Sequence, residues 1–176
     1  MGFFSNLFNP VPDNPTREFP PLTAPLKLVW HTELGQVNRV SPGASVNELV
    51  VFGPCDNFLE LGEHAFEFTY PELGLILQCS QGSLEFITFM ISEDDLDDPE
   101  MQVTYARPWI EPIGQLLTPE TDARALTAMF GAFEVASEDE EEVIGNFRLG
   151  GMVYEASFGA DALLKRLMIY LDDARK

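Results

Sequence analysis

The sequence predicts an α+β protein made of two tandem copies of one module. Each copy is a strand, a short helix and a three-stranded antiparallel meander, and the copies pack together. Three observations carry this expectation. Landmarks recur: Trp30 and Gly35-Gln36 answer Trp109 and Gly114-Gln115, Phe52-Gly53 answers Phe130-Gly131, Tyr70 answers Phe147, and Gly82 answers Gly159. Their offsets are 79, 79, 78, 77 and 77 residues, and near-constant spacing is the mark of a repeated unit. Within each stretch the apolar pattern passes from helical spacing to alternation. Finally, a copy of roughly 70 residues would be marginal alone, because small domains bury a lower fraction of their surface. The expected boundaries are a Pro-rich arm at 1–24, copy one at 25–95, an acidic linker at 96–102 and copy two at 103–176.

The arm carries Pro10, Pro12, Pro15, Pro20 and Pro21, which remove backbone donors and favour extended chain. Phe3, Phe4, Leu7 and Phe8 fit one apolar turn, which would dock on the body or on another copy of the protein, or else fray. In copy one, residues 26–30 alternate as a strand, and Ser41-Pro42-Gly43 is turn chemistry. Ser45 and Glu48 form a capping box for a helix that Gly53-Pro54 ends. Large rings then fall on every second residue at Phe66, Phe68 and Tyr70, so 63–70 reads as a strand with His64 in line with the rings. Strands at 75–79 and 84–91 complete the meander, the last apolar on both faces and therefore central.

Copy two repeats this plan. Thr118-Pro119-Glu120-Thr121 reads as a cap, a first-turn proline and an acidic first turn, with Ala125, Leu126, Met129 and Phe130 as the buried stripe and Gly131 as the stop. Strands are expected at 143–148, 152–158 and 164–171. Leu163, Leu164, Leu167, Met168 and Leu171 also fit a helical stripe, and the match to copy one decides for strand.

Charge narrows the function classes. The chain has 29 acidic and 10 basic residues, a formal net charge of −19. Nucleic-acid phosphates call for clustered Lys and Arg, and an anionic membrane would repel this chain. A basic protein would be drawn to it and would meet it faster; the plainer role of the acids is solubility. Met1 to Phe8 lack the basic start of a secretory signal, position 6 is Asn where myristoylation wants Ser or Thr, and no run approaches the length of a membrane span. A reducing cytoplasm is the expected location.

Two acidic runs hold 11 of the 29 acids. Glu93, Asp94, Asp95, Asp97, Asp98 and Glu100 fill the inter-copy segment, and Glu138, Asp139, Glu140, Glu141 and Glu142 form an unbroken run. Close like charges repel until a cation or basic partner arrives. The runs are therefore candidate partner-binding residues, with two solvated loops as the alternative. Calcium does not fit Asp95 to Pro99, which lacks the glycine and glutamate spacing of an EF-hand. No metal ligands and no cofactor motif are identified. Cys55 and Cys79 make neither a disulfide framework nor a zinc pair. Cys55 follows a helix end, Cys79 reads as a buried strand residue, and a Cys79–His64 pair is a remote option. No catalytic residues are assigned.

A helix closing in Phe-Gly before a three-stranded meander, at Leu49, Phe52 and Gly53 with 66–91 and at Leu126, Phe130 and Gly131 with 143–171, resembles the tandem-repeat architecture of β-lactamase inhibitory proteins and similarly shaped lipoprotein domains. The likeness is one of topology across most of 25–171. The chain departs from those secreted inhibitors in lacking a signal and a disulfide in each copy, so it carries over no functional residue. In general character the small acidic form is also similar to bacterial immunity proteins, which cover the active site of a cognate toxin. The resemblance implies a non-enzymatic acidic protein that neutralises a basic toxin or enzyme. An adaptor or chaperone for a secreted effector is the alternative, and an enzyme with carboxylates between the copies is the third reading.

Overall fold

The computed structural model describes residues 13–55, 57–92 and 104–172. Strands β1 (Val29–His31) and β2 (Gln36–Val37) lead to a 3-10 helix, Val46–Phe52, followed by β3 (Asn57–Gly62), β4 (Ala65–Tyr70), β5 (Leu75–Ser80) and β6 (Ser83–Met90). Next come β7 (Trp109–Glu111), β8 (Gln115–Leu116), helix α1 (Ala123–Phe130), β9 (Glu134–Glu138), β10 (Glu142–Leu149), β11 (Met152–Gly159) and β12 (Leu164–Leu171).

These strands form two unequal sheets. The small one has four strands in the order β2-β1-β7-β8, and the large one has eight in the order β3-β4-β5-β6-β12-β11-β10-β9. This overturns the expected pair of symmetric modules. Neither sheet belongs to one stretch of chain: β1 pairs in parallel with β7, setting Trp30 opposite Ile110, and β6 pairs antiparallel with β12, setting Ile87 opposite Ile169. Helical content among the described residues is small: three 3-10 segments (Thr32–Leu34, Val46–Phe52 and Pro71–Leu73) and one eight-residue α-helix. The meanders also have a fourth strand each, β3 and β9. Both are outer strands of the sheet and lie largely exposed. Only Phe58 of β3 packs against the core, and β9 is exposed throughout, so neither strand carries the clean apolar alternation that marks a strand in sequence.

Within the large sheet, period-two alternation does what elementary strand geometry demands. Leu75, Leu77 and Cys79 of β5 point to the core while Ile76, Gln78 and Ser80 point away. The segment 164–171, ambiguous between helix and strand in its pattern, is a strand because it lies between β6 and β11, with Leu167 opposite both Phe89 and Ala156. The small sheet, the 3-10 helix and α1 cover one face. Trp30, 0% exposed, is the hub, with ring centroids 5.3 Å from Phe130 and 5.8 Å from both Phe89 and Tyr154. The Tyr154 hydroxyl donates to the Thr32 carbonyl at 2.8 Å and so ties the small sheet to the large one.

Local capping is partly as expected and partly shifted. The Ser45 amide donates to the Glu48 carboxylate at 2.9 Å, and Gly53 closes the 3-10 helix. Helix α1 ends at Gly131 but starts at Ala123, with Asp122 as its cap accepting from the Ala125 amide at 2.8 Å. Thr118 to Thr121 instead form a separate turn, held by Thr121 N–H to Thr118 O at 3.0 Å. Pro119 O there accepts from the Leu164 amide at 2.8 Å, an anchor to the sheet that competes with helix formation. His64 is not in line with the rings. It occupies the β3–β4 turn at φ +62° with its side chain 74% exposed.

The 13–24 segment docks on the body at its start. Asn14 donates through its side chain to the Cys55 carbonyl, and Thr16, fully buried, accepts from the Cys55 amide at 2.9 Å. At the other end of the first meander, Gly74 sits at φ +60° where a Cβ would collide with the backbone of Thr104 and Ala106. Only glycine permits that crossing.

Candidate functional site

The second acidic run forms the tip of the β9–β10 hairpin. Glu138 ends β9, Glu142 starts β10, and Asp139, Glu140 and Glu141 make the turn. Sequence and turn agree physically, because an aspartate can close a reversal with its own side chain. The Asp139 carboxylate accepts from the amides of Glu141 at 2.8 Å and Glu142 at 2.9 Å, while the Asp139 amide donates to the Glu142 carbonyl at 3.0 Å. Those two amides hold the Asp139 carboxyl below the usual aspartate range, with a smaller pull from Lys165.

The five acids therefore have unequal duties. Asp139 shapes the turn. Glu142 is half-buried, accepts from the Ser157 hydroxyl and lies 4.0 Å from the Arg166 guanidinium. Glu138, Glu140 and Glu141 are exposed, and among the described residues no salt bridge neutralises them. Of the first run, Glu93, Asp94, Asp95, Asp97, Asp98 and Glu100 lie outside the described residues.

Beside the hairpin runs a groove of about 520 Å³, bounded by the start of α1, the hairpin and the turn after β11. Its apolar wall includes Ala123, Phe133, Val143, Phe158 and Ala162, and its rim carries Asp122, Arg124, Asp139 and Glu140. Phe133 is the fixed piece. Its ring lies 5.0 Å from Phe147 and edge-on to Phe158 at 6.0 Å. It lies over Gly145 of β10, where a Cβ would overlap the ring. Charged turn, apolar wall and partial enclosure together suit a side chain with an apolar stem and a cationic head.

A second surface was not singled out by the sequence. Trp109, the counterpart of Trp30 in the landmark pattern, is 42% exposed and pairs across the small sheet with exposed Leu116. The two tryptophans thus serve opposite ends, one as core hub and one as surface. With Leu28, Leu73, Tyr105 and Arg107, Trp109 lines a groove of about 720 Å³. Arg107 is held there by a 2.8 Å bond to the Ile91 carbonyl and stands 5.9 Å from the Tyr105 ring. The readable difference lies in the preceding residues: Pro108 stands before Trp109, whereas Leu28 and Val29 stand before Trp30.

The nucleophile candidates are poor in chemistry. Cys79 is buried on the core face, and burial, aided by Glu85, pushes its thiol up to about 12, so it stays protonated at neutral pH. Cys55 is buried with its Sγ 3.1 Å from the carbonyls of Asn57 and Thr69. His64 and Cys79 do not form a pair, since one lies in an exposed turn and the other in the core. His31 stands 3.1 Å from Glu111 across the β1–β7 pair. Among the described residues no group of three or more His, Cys, Asp or Glu is arranged to hold a metal ion, and no helix is long and apolar enough to cross a membrane.

Comparisons with known proteins add little to this geometry. No family model matches the chain, and no curated protein matches it. Among solved structures, the chain is similar to a cysteine-rich secretory protein from Staphylococcus aureus subsp. aureus Mu50, with 8% identity and a TM-score of 0.43. The match covers 84% of this chain, and the chain spans about half, 52%, of that structure's length.

Proposed function

We propose that the protein is a non-enzymatic binding protein that docks a basic protein through the β9–β10 hairpin. In its most concrete form it is a cytoplasmic immunity protein that covers the active site of a basic toxin or enzyme. The supporting observation is the pairing of Glu138, Glu140 and Glu141, exposed and without a described cation, with the apolar groove walled by Phe133, Val143 and Phe158. Charge at the rim steers the encounter, and a large apolar contact in a partly enclosed groove holds it. The net charge of −19 extends the steering field beyond the hairpin. Two buried thiols suit a reducing compartment.

The test starts with a pull-down of the tagged chain from its native cell at low and then moderate salt, read by mass spectrometry. A basic protein recovered in stoichiometric amount is then titrated against the Glu138→Gln/Glu140→Gln/Glu141→Gln variant. Association at low salt slows by about tenfold, because steering acts mainly on the on-rate. An unchanged on-rate refutes the role of the hairpin, and recovery of nothing at either salt refutes the reading as a whole.

A further inference from the structure

The large sheet has a second face, opposite the core. Strand register places Thr69, Ile76, Thr88, Met168 and Glu155 in one row across it, and Gln78, Phe86, Tyr170 and Val153 in the next. On a bare antiparallel face such rows would be polar and half exposed. Here Val153 is 1% exposed, and Met90 and Tyr170 are 4% exposed. All three stand outside the contiguous core cluster, which contains Trp30, Leu49, Phe52, Leu126 and Phe130. The described elements that pack on the sheet belong to that cluster, on the other side. Phe86 and Tyr170 pair with each other on this face, their ring centroids 5.5 Å apart.

We propose that this face is a docking surface for the apolar segment of the same chain, residues 3–8. Three observations converge on that occupant. The described chain begins at Asp13, and Asn14 and Thr16 are bound to Cys55. Cys55 Sγ in turn lies 3.1 Å from the carbonyls of Asn57 and Thr69, which β3 and β4 set opposite each other at the start of the first row. From β4 to β12 is three strand spacings, about 14 Å, a span that four or five extended residues cover. Residues 9–12 with Pro10 and Pro12 favour that extended form. Ahead of them, Phe3, Phe4, Leu7 and Phe8 have the sequence spacing of one apolar face, which matches Phe86, Met168, Tyr170 and Val153 in chemistry. Segment 1–12 also has no charged side chain in a chain of net charge −19, so it meets Glu67 and Glu155 on this face without repulsion.

The test uses the full chain with Ser5→Cys carrying a nitroxide and with methionine methyl groups labelled with carbon-13. Met90 and Met168 report on the proposed face, and Met129 and Met152 on the core side. The expected result is loss of the Met90 and Met168 signals with weaker broadening at Met129 and Met152. The signals return when Phe3, Phe4, Leu7 and Phe8 are all replaced by Ser. A second sample mixes nitroxide-bearing unlabelled chain with carbon-13 chain lacking the nitroxide, and there no broadening is expected. Absence of preferential broadening in the first sample overturns the proposal, and so does preferential broadening that appears in the mixed sample, which assigns the face to a second copy.

Discussion

Gly145→Ala is the substitution whose effect follows most directly from the geometry. Gly145 lies in β10 between Phe147 and Val143 on the core face, and a Cβ there would overlap the Phe133 ring and come 3.0 Å from the Glu134 carbonyl. The ring has to swing away. It then loses its contacts with Phe147 and Phe158, each worth about 0.5–1.5 kcal/mol beyond burial, and overpacking itself costs about 1–3 kcal/mol. Against this, replacing glycine by alanine in a strand gains about 0.5–1 kcal/mol from reduced chain entropy. The net expectation is destabilisation by about 1–5 kcal/mol, or a fall in Tm of several degrees or more for a chain of this size. Urea unfolding gives the number, and the Phe133→Ala background supplies the control. With the ring gone, Gly145→Ala becomes neutral or stabilising, so the two sites couple strongly in a double-mutant cycle. Equal effects of Gly145→Ala in both backgrounds, or stabilisation of the otherwise native chain, would refute the account of Phe133 as a ring seated on glycine. A partner found by pull-down adds a second readout, because displacing Phe133 also reshapes the groove wall.

Stability declines in alkali. Burial raises Cys79 from 9.0 to about 12 and Tyr154 from 10.0 to about 12, and it raises Tyr70 as well. These groups are neutral when protonated, so their contribution is complete below the unfolded pKa and is lost as pH rises towards the folded one. Each lowers unfolding free energy by at most about 1.4 kcal/mol per pH unit above its ordinary pKa. Urea midpoints at pH 8 and pH 11 measure the sum, and identical midpoints contradict it. Tyr154→Phe removes the bond to the Thr32 carbonyl and costs about 0.5–1.5 kcal/mol. Hydrogen exchange then speeds up in β1 and β7 more than in β11; uniform acceleration would show that this bond does not hold the sheets together.

Much of the large sheet was legible because its strands bury one face. Phe66, Phe68 and Tyr70 alternate, and so do Leu75, Leu77 and Cys79, so a period of two is written into the residues. Glu134 to Glu138 carry no such period, since an outer strand with both sides wet needs none. Pairing between distant strands was also illegible. Trp30 meets Ile110 and Ile87 meets Ile169 across about 80 residues, and no local pattern encodes which edge meets which. That is why regular landmark spacing suggested two modules where the chain builds two shared sheets of unequal size. The hairpin acids were visible as a run, but their division of labour was not. Asp139 binds amides two and three residues on, while Glu142 reaches Ser157 on the next strand. Likewise Trp30 and Trp109 share neighbours in sequence and differ in burial because one faces Phe89 and Tyr154 and the other faces solvent.

The junction of β6 with β12 has a consequence during synthesis. Leu164 follows Met90 by 74 residues, so while the ribosome makes that intervening stretch, β6 presents a bare row of amides and carbonyls. At about 5–20 residues per second that interval lasts several seconds, long compared with hairpin formation in microseconds. The first meander can therefore assemble early, yet its most apolar strand must wait for a late arrival. During that wait, nascent chains on neighbouring ribosomes can pair edge to edge, and holding factors or slow dilution during refolding would raise the yield of monomer.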